Sequence, residues 1–186
     1  MLEKEYLNVI IKELEEASKL IKEEELEKAE EMILSAKKIF VAGAGRSGFA
    51  ARAFSNRLMH LGLQVYFVGE PTTPAIGKGD LCIIASGSGE TKSLVAMAQK
   101  VKAVGASLLT ITIFPEASIG TMADHAVVLP GATPKSDLEN TFKSEQPMGN
   151  VFEQMSWIIY DVMIRRMMDL MNRTADEMFK LHANLE

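Results

Sequence analysis

The sequence predicts an α/β fold of three layers, in which a five-stranded parallel sheet is flanked by helices. Five short segments are apolar and rich in β-branched residues, and helical stretches separate several of them. Their hydrophobicity is continuous rather than alternating, which indicates strands buried on both faces of a doubly wound sheet. The five predicted strands are 38–43, 64–69, 80–86, 107–113 and 125–129.

The first 36 residues predict an N-terminal helical extension. Leu7, Ile10, Leu14 and later apolar residues recur at helical spacing, with charges on the remaining faces. The acidic run at 23–25 is interpreted as solvated helix surface. We expect one or two helices lying outside the core.

The middle of the chain alternates between helices and connections. Residues 47–61 and 91–104 have helical periodicity, whereas 70–79 predicts a loop or a turn-rich link. Residues 130–147 are rich in Pro, Ser, Thr, Asn and Asp and have no periodicity. Loops of that length inside a compact domain are often functional.

The C-terminal part predicts a long helix over 149–171 and a shorter helix in the tail segment 172–186. The long helix is rich in Met and aromatic residues, which suit the core or a subunit interface. Thr174 followed by Glu177 is typical of a capping box at the start of the shorter helix.

Composition limits the classes of function. The chain of 186 residues suits a single domain, and its net charge of −5 argues against general nucleic-acid binding. The one cysteine, Cys82, lies in an apolar run and is expected to be a buried structural thiol. No run approaches the roughly 18 apolar residues of a membrane span, so we expect a soluble, cytoplasmic protein.

The first of two glycine-rich turns, VAGAGRSG at 41–48, resembles a dinucleotide-binding fingerprint. Two of its own features weigh against that interpretation. The turn carries Arg46 and Ser47, which suit a terminal phosphate or a sugar hydroxyl. Glu70, the candidate ribose-binding acid, runs directly into Pro71 and a loop.

A second turn, SGSGET at 86–91, follows the third predicted strand. Its glycines let backbone N–H groups approach an anion, and its hydroxyls add donors at the start of a helix. These donors suit a phosphate monoester, although Ser, Gly and Thr also form ordinary caps and turns. Lys92 in the first helical turn is a further hint of an anion. Two such turns on one sheet favour a sugar-phosphate pocket.

Four segments together resemble the sugar isomerase (SIS) domain family and, within it, the 6-phospho-3-hexuloisomerases. They are GAGRSG, IIASGSGETKSL, QPMGNVFEQ and the terminal HANLE, and the resemblance covers essentially the whole chain, 1–186, as one SIS domain. It implies a five-stranded parallel sheet and a homotetramer. It also implies that the first turn belongs to a sugar site, against the dinucleotide interpretation.

The resemblance further implies a reaction. Such enzymes convert D-arabino-3-hexulose 6-phosphate into fructose 6-phosphate through a 2,3-enediol. They follow 3-hexulose-6-phosphate synthase in the ribulose monophosphate route of formaldehyde fixation. A base, a proton carrier and donors to a developing oxyanion are required, and no cofactor or metal is expected.

Candidate site residues follow from the turns and the resemblance. Glu153, in the first turn of a helix, is the predicted base, although a helix N-terminus favours any carboxylate. His182, in the terminal HANLE, is predicted to carry protons or open the ring, in its own or a neighbouring subunit's site. His60 and His125 are expected to be structural, and Glu186 at most supporting. The predicted substrate-binding residues are Gly45, Arg46, Ser47, Ser86, Gly87, Ser88, Gly89, Glu90 and Thr91.

Three alternatives stay open at this point. Another SIS isomerase would share the phosphate turns and differ in the long loop and tail. A non-catalytic sugar-phosphate sensor would normally carry a DNA-binding domain, for which the acidic first 36 residues are too short. A nucleotide-dependent oxidoreductase would leave SGSGET unexplained.

Overall fold

The computed structural model describes residues 2–135, 138–139 and 142–185. A single parallel sheet contains five strands, namely β1 (Ile39–Gly43), β2 (Val65–Phe67), β3 (Leu81–Ala85), β4 (Ser107–Thr112) and β5 (His125–Val128). Their order in the sheet is β2-β1-β3-β4-β5, and every neighbouring pair is parallel. The predicted fold class and all five predicted strands are therefore confirmed.

Seven helices surround the sheet in the part of the chain that is described. They are α1 (Glu3–Ser18), α2 (Glu23–Ser35), α3 (Gly45–His60), α4 (Lys92–Ala103), α5 (Ser118–Met122), α6 (Asn150–Leu170) and α7 (Ala175–Phe179). The helices predicted within 47–61, 91–104 and 149–171 lie close to the expected limits. The short helix α5 was not predicted, because five residues are too few to show a helical period.

Alternate residues of each strand face two different apolar cores. On one face Ile39 and Val41 of β1 contact a cluster built with α1, α2, α3 and α6. On the other face Phe40 and Ala42 contact a smaller cluster built with α4 and α5. Both faces of the sheet are covered, which explains the continuous hydrophobicity of the strands.

The N-terminal helices belong to the core, so the expectation that they lie outside it is wrong. Ala17 of α1 and Leu26 of α2 are buried in the larger apolar cluster. Glu25 is not solvated surface either, because its Oε2 accepts a hydrogen bond of 2.8 Å from the Val128 N–H. Its backbone oxygen lies 2.8 Å from His125 Nε2. Helix α2 therefore covers the edge strand β5, and His125 has the structural role expected of it.

Helix α6 divides its large side chains between the core and the surface. Met155, Met163 and Met167 are buried, whereas Trp157 and Ile158 are exposed. Cys82 is also buried, and burial raises its pKa to about 12, as expected for an inert thiol. Among the described residues, no helix combines the length and the apolar composition needed to cross a bilayer.

Candidate active site

The two glycine-rich turns lie side by side at one edge of the sheet. Strands β1 and β3 are neighbours with residues Gly43 and Ala85 in register, so the turns that follow them meet at the carboxyl edge. Between them lies a cavity of about 150 Å³. Its lining is Ala44, Gly45, Arg46, Ser47, Ala85, Ser86, Gly87, Ser88, Thr91, Leu94, Ile113, Thr133, Pro134, Lys135, Met148, Gly149, Phe152 and Glu153.

Close contact between β1 and α3 shapes the first turn. A Cβ added to Gly48 would lie 2.7 Å from the Gly43 oxygen, and one added to Gly43 would lie 2.8 Å from the Gly48 Cα. Strand and helix can approach this closely only because both residues are glycine. The approach brings the first turn of α3, with Arg46 and Ser47, over the end of β1.

The second turn presents hydroxyl groups to the cavity. Ser86 is 4% exposed, and its Oγ has no hydrogen-bond partner among the described residues. A buried polar atom without a partner is costly, and it suits a site that a ligand completes. Ser88 Oγ accepts a hydrogen bond of 3.3 Å from the Glu90 N–H. Thr91 is the N-cap residue of α4, but the Thr91 side chain makes no capping hydrogen bond to the helix.

Three helices begin around the cavity. Helices α3, α4 and α6 start after Ala44, Thr91 and Gly149, and no side-chain cap is found at these starts among the described residues. The first N–H of α6, on Asn150, donates to the Pro147 oxygen at 3.3 Å. The N-termini of all three helices contribute residues to the lining, so the positive ends of their dipoles lie beside the cavity. This arrangement favours an anionic ligand.

The predictions for Gly89 and Glu90 need correction. In the described part of the chain, both lie outside the cavity lining. The Glu90 carboxylate binds the start of α5, accepting bonds of 2.7 Å from the Ser118 N–H and 2.8 Å from its hydroxyl. Gly89 has a φ of +65°, and a Cβ there would lie 2.6 Å from the Ala117 Cβ. Both residues contact the segment that begins α5 and not the cavity. Lys92 is also outside the lining.

Glu153 lies in the cavity and faces the first turn. Its Oε2 is 3.2 Å from Arg46 Nε, an ion pair outside hydrogen-bond geometry, since Oε2 has no hydrogen-bond partner among the described residues. Arg46 also donates from a terminal nitrogen to Asn150 Oδ1 at 2.5 Å. The guanidinium thus joins the start of α3 to the start of α6. Glu153 retains a lone pair for a proton on a bound ligand.

Several lining residues were not predicted from the sequence. Thr133 and Lys135 come from the long loop, where no periodicity indicated which residues would turn inwards. Lys135, which is exposed, adds a cation to the cavity lining. Phe152 lies against the second turn, where a Cβ added to Gly87 would be 3.1 Å from its ring. The motif QPMGNVFEQ contained the signal for Met148, Gly149 and Phe152.

His182 lies apart from Glu153 within one chain. Its ring stacks on His60 with centroids 5.3 Å apart, and it lines a second cavity with Trp157 and Tyr160. Tyr160 is seven residues beyond Glu153 on α6, about 10 Å along the helix. Burial lowers the pKa of His60, and Arg57 and His182 lower it further. Glu186 lies outside the described residues.

Glu70, the acid that a dinucleotide site would need, is engaged away from the cavity. It forms an ion pair with Arg52, which also lies over the Phe67 ring. Glu70 is not among the described residues that line the cavity. No cluster of three His, Cys, Asp or Glu side chains suited to a metal ion occurs within residues 2–135, 138–139 and 142–185.

The chain is similar to a known protein family, to named relatives and to solved structures. The family model for the SIS domain matches residues 32–155. A 3-hexulose-6-phosphate isomerase of Bacillus subtilis is 44% identical over 182 residues, covering 98% of each chain. One from Mycobacterium gastri is 36% identical over 180 residues, covering 97% of this chain and 89% of the relative.

A solved structure gives the same indication. The crystal structure of a Methanococcus jannaschii protein, which infers a molecular function of 3-hexulose-6-phosphate isomerase, matches with a TM-score of 0.84. The two sequences are 34% identical, and the match covers 98% of this chain and 99% of the other.

Proposed function

The chain belongs to the SIS domain family, and on that premise we propose that it is a 3-hexulose-6-phosphate isomerase. It converts D-arabino-3-hexulose 6-phosphate into fructose 6-phosphate. Relatives with that name align over nearly the whole chain, including the tail beyond the family match.

The observation that carries the proposal is the pairing of two unsatisfied groups in one cavity. The Ser86 hydroxyl and Glu153 Oε2 both lack hydrogen-bond partners among the described residues, and both belong to the same lining. The serine, with the N-termini of α3 and α4, suits the phosphate. The carboxylate suits the carbon acid at the other end of the sugar.

The reaction moves a carbonyl from C3 to C2. Glu153 removes the proton from C2, and the electron pair forms the C2–C3 double bond of a 2,3-enediol while the C3 oxygen gains a proton. The C2 hydroxyl then loses its proton as the C2 carbonyl forms. Glu153 returns the first proton to C3. Arg46, beside the carboxylate, offers a cation to the oxygens on which negative charge develops.

His182 is proposed to transfer the proton between the two oxygens, or to open the sugar ring, from a neighbouring subunit. In the same chain His182 and Glu153 line different cavities, which supports that division. The exposed Trp157, Ile158 and Val162 give α6 an apolar surface for a partner copy. We propose a homotetramer as the assembled form.

The substrate implies the preceding step. A 3-keto hexulose 6-phosphate arises when a one-carbon aldehyde adds to a pentulose phosphate, so we propose that the chain acts after 3-hexulose-6-phosphate synthase. That places it in formaldehyde fixation by the ribulose monophosphate route. We propose the cytoplasm as its location.

A coupled assay tests the function. The upstream synthase forms the substrate from formaldehyde and ribulose 5-phosphate, and fructose 6-phosphate is detected through phosphoglucose isomerase and glucose-6-phosphate dehydrogenase. Wild type is compared with Glu153→Gln, His182→Ala and the exposed control Glu116→Gln. We expect turnover by wild type and control, with a loss of about 10²- to 10⁴-fold in Glu153→Gln.

Two outcomes would contradict the proposal in different ways. Turnover that survives Glu153→Gln would assign the base to another residue. Absence of turnover in wild type that still binds fructose 6-phosphate would favour another phosphosugar substrate or a sensor.

A further inference from the structure

One carboxylate of the N-terminal helix binds three consecutive residues of the segment that leads into α6. Glu13 Oε2 accepts hydrogen bonds from the Ser144 hydroxyl at 2.7 Å and from Gln146 Nε2 at 2.9 Å. Glu13 Oε1 accepts a bond of 2.7 Å from the Glu145 N–H. Hydrogen bonds to a charged acceptor are the stronger kind, and three on one carboxylate fix the segment in place.

The network continues to the residue beside the proposed base. Gln146 Oε1 accepts a hydrogen bond of 3.0 Å from Gln154 Nε2. Gln146 also donates from its backbone to Ser144 Oγ at 2.9 Å. Gln154 is the next residue after Glu153 on α6. A continuous polar path therefore joins Glu13 to the first turn of the helix that carries Glu153.

The backbone between the network and α6 adopts an unfavourable conformation. Met148 has a φ of 56°, lines the cavity, and is followed by Gly149, the N-cap residue of α6. A bulky residue adopts this region only where its surroundings impose it. The bonds to Glu13 fix the chain before Met148, and α6 fixes it afterwards.

We propose that Glu13 is a positioning residue for the isomerisation. Its carboxylate holds residues 144–146, and through them the start of α6, where Glu153 reaches the sugar. The inference rests on the proposed function of Glu153. Glu13 itself is outside the cavity lining in the described part of the chain, so it acts through residues 144–146.

Removal of the charge should leave the fold intact. Helix α1 is also held by apolar contacts, since Ala17 is fully buried and Leu14 packs against the larger core. Neither contact involves the Glu13 carboxylate. The phosphate turns after β1 and β3 are also independent of it. The variant should therefore keep its affinity for sugar phosphate while losing turnover.

The experiment compares Glu13→Gln with Glu15→Gln, an exposed glutamate on the same helix. For each protein, kcat, the dissociation constant of fructose 6-phosphate, and hydrogen–deuterium exchange of the peptide covering 144–150 are measured. Far-ultraviolet circular dichroism verifies that each protein is folded at the assay temperature. Ser144→Ala, alone and combined with Glu13→Gln, removes the partner from the other side.

We expect kcat of Glu13→Gln to fall about tenfold or more, because small misplacements of a catalytic group are costly. The fructose 6-phosphate affinity should stay within about twofold, exchange over 144–150 should accelerate, and Glu15→Gln should behave as wild type. The effects of Glu13→Gln and Ser144→Ala on kcat should be less than additive, as for residues in one network.

Three results would overturn the inference: unchanged kcat in Glu13→Gln, fully additive effects in the double variant, or unchanged exchange over 144–150. A wild type without turnover would instead contradict the proposed function. Exchange would then decide by itself whether Glu13 holds the segment.

Discussion

Arg46 Nε lies 3.2 Å from Glu153 Oε2, although 107 positions separate the two residues in the sequence. Both residues line the cavity between the two glycine-rich turns. Because Arg46 also donates to Asn150, it holds two residues of the first turn of α6 at once. The contact therefore links the first motif of the sequence to the proposed base.

Substitution of Arg46 by lysine should reduce turnover while the protein stays folded. A lysine ammonium is a point charge and cannot reproduce the planar contact with Asn150 and Glu153 together. We expect kcat to fall by about tenfold to a hundredfold. The measurement is the coupled assay, with Arg52→Lys as the matched control, because Arg52 is on the same helix and pairs with Glu70. Equal losses in both variants would contradict a specific role for Arg46.

Ser86→Ala should separate ligand affinity from stability. A hydrogen bond to a charged group contributes about 1.5–3 kcal/mol, so the dissociation constant of fructose 6-phosphate should rise by about 10- to 100-fold. The free energy of unfolding should not fall, because the substitution removes a buried hydroxyl that has no partner among the described residues. Calorimetric titration and urea denaturation measure the two quantities. Unchanged affinity would remove Ser86 from the phosphate site.

Mixing two inactive variants tests whether His182 serves a neighbouring site. Glu153→Gln and His182→Ala each lack one proposed group, but a hybrid in which the groups come from different chains regains one complete site. If each site takes Glu153 from one subunit and His182 from its neighbour, an equal mixture should recover about a quarter of wild-type activity after dissociation and reassembly. The control is each variant treated alone. No recovery, with hybrids shown by mass spectrometry, would place both groups in the same chain.

Glu13→Gln should change how stability depends on acid pH. Burial raises the pKa of the Glu13 carboxyl, but the hydrogen bonds from Gln146, Glu145 and Ser144 outweigh it and hold that pKa below the ordinary 4.5. A carboxyl whose pKa is lowered by folding stabilises the folded state at pH values above its ordinary pKa. This stabilisation is lost as the pH falls through the pKa that the carboxyl has in the folded state.

We therefore expect wild type to exceed Glu13→Gln by about 1 kcal/mol in unfolding free energy at neutral pH. The difference should shrink as pH falls below 4.5. Urea denaturation of both proteins at a series of pH values measures it. A difference that is independent of pH would show that the charge of Glu13 is not the source of the stabilisation.

Arg166→Ala should destabilise the protein far more than the neighbouring Arg165→Ala. Arg166 Nε lies 3.0 Å from Oε2 of Glu30, a carboxylate that is 1% exposed, whereas Arg165 pairs with the exposed Asp169. Leaving a buried charge without its partner costs about 3–5 kcal/mol, and losing a surface pair costs less than about 1 kcal/mol.

The effect of Arg166→Ala should weaken in acid. Burial raises the pKa of Glu30, and Arg166 opposes that rise. Without the arginine the pKa of Glu30 rises further. In the variant the Glu30 carboxylate is therefore protonated at a higher pH than in wild type, and the variant regains stability as pH falls. Denaturation of both variants between neutral and acid pH measures this. Equal losses in the two arginine variants would contradict the prediction.

The fold was predictable because its pattern is local and repeated. Strands such as Leu81–Ala85 are continuous apolar runs, and the apolar residues of α1 recur at helical spacing. The capping box at α7 was also predictable, since Thr174 accepts from the Glu177 N–H as the motif indicates. Helix α5 carried too short a pattern.

The residues predicted for the site that line the cavity include Arg46 and Ser86, in turns that follow strands, and Glu153, in the motif that begins α6. Glu90, predicted to bind substrate, lies outside the lining because its carboxylate caps α5, a helix that was not predicted from the sequence. Lys135 was missed because its loop has no period.

Two contacts of glutamates with distant parts of the chain could not be predicted. Neither Glu13 of α1, which holds residues 144–146, nor Glu25 of α2, which binds the edge strand β5, has a local signature. Both are ordinary charged positions on amphipathic helices until the tertiary fold places a donor beside them.

The limits of the family match have a practical consequence for anyone who shortens this protein. A fragment cut to residues 32–155 would contain both glycine turns and Glu153, and it would look sufficient by homology. It would lack all of α1, most of α2 and the greater part of α6. The edge of β5 would lie bare, and edges of that kind invite aggregation. Boundaries for recombinant expression should therefore follow the contacts of α1 and α2, not the segment that the family model matches.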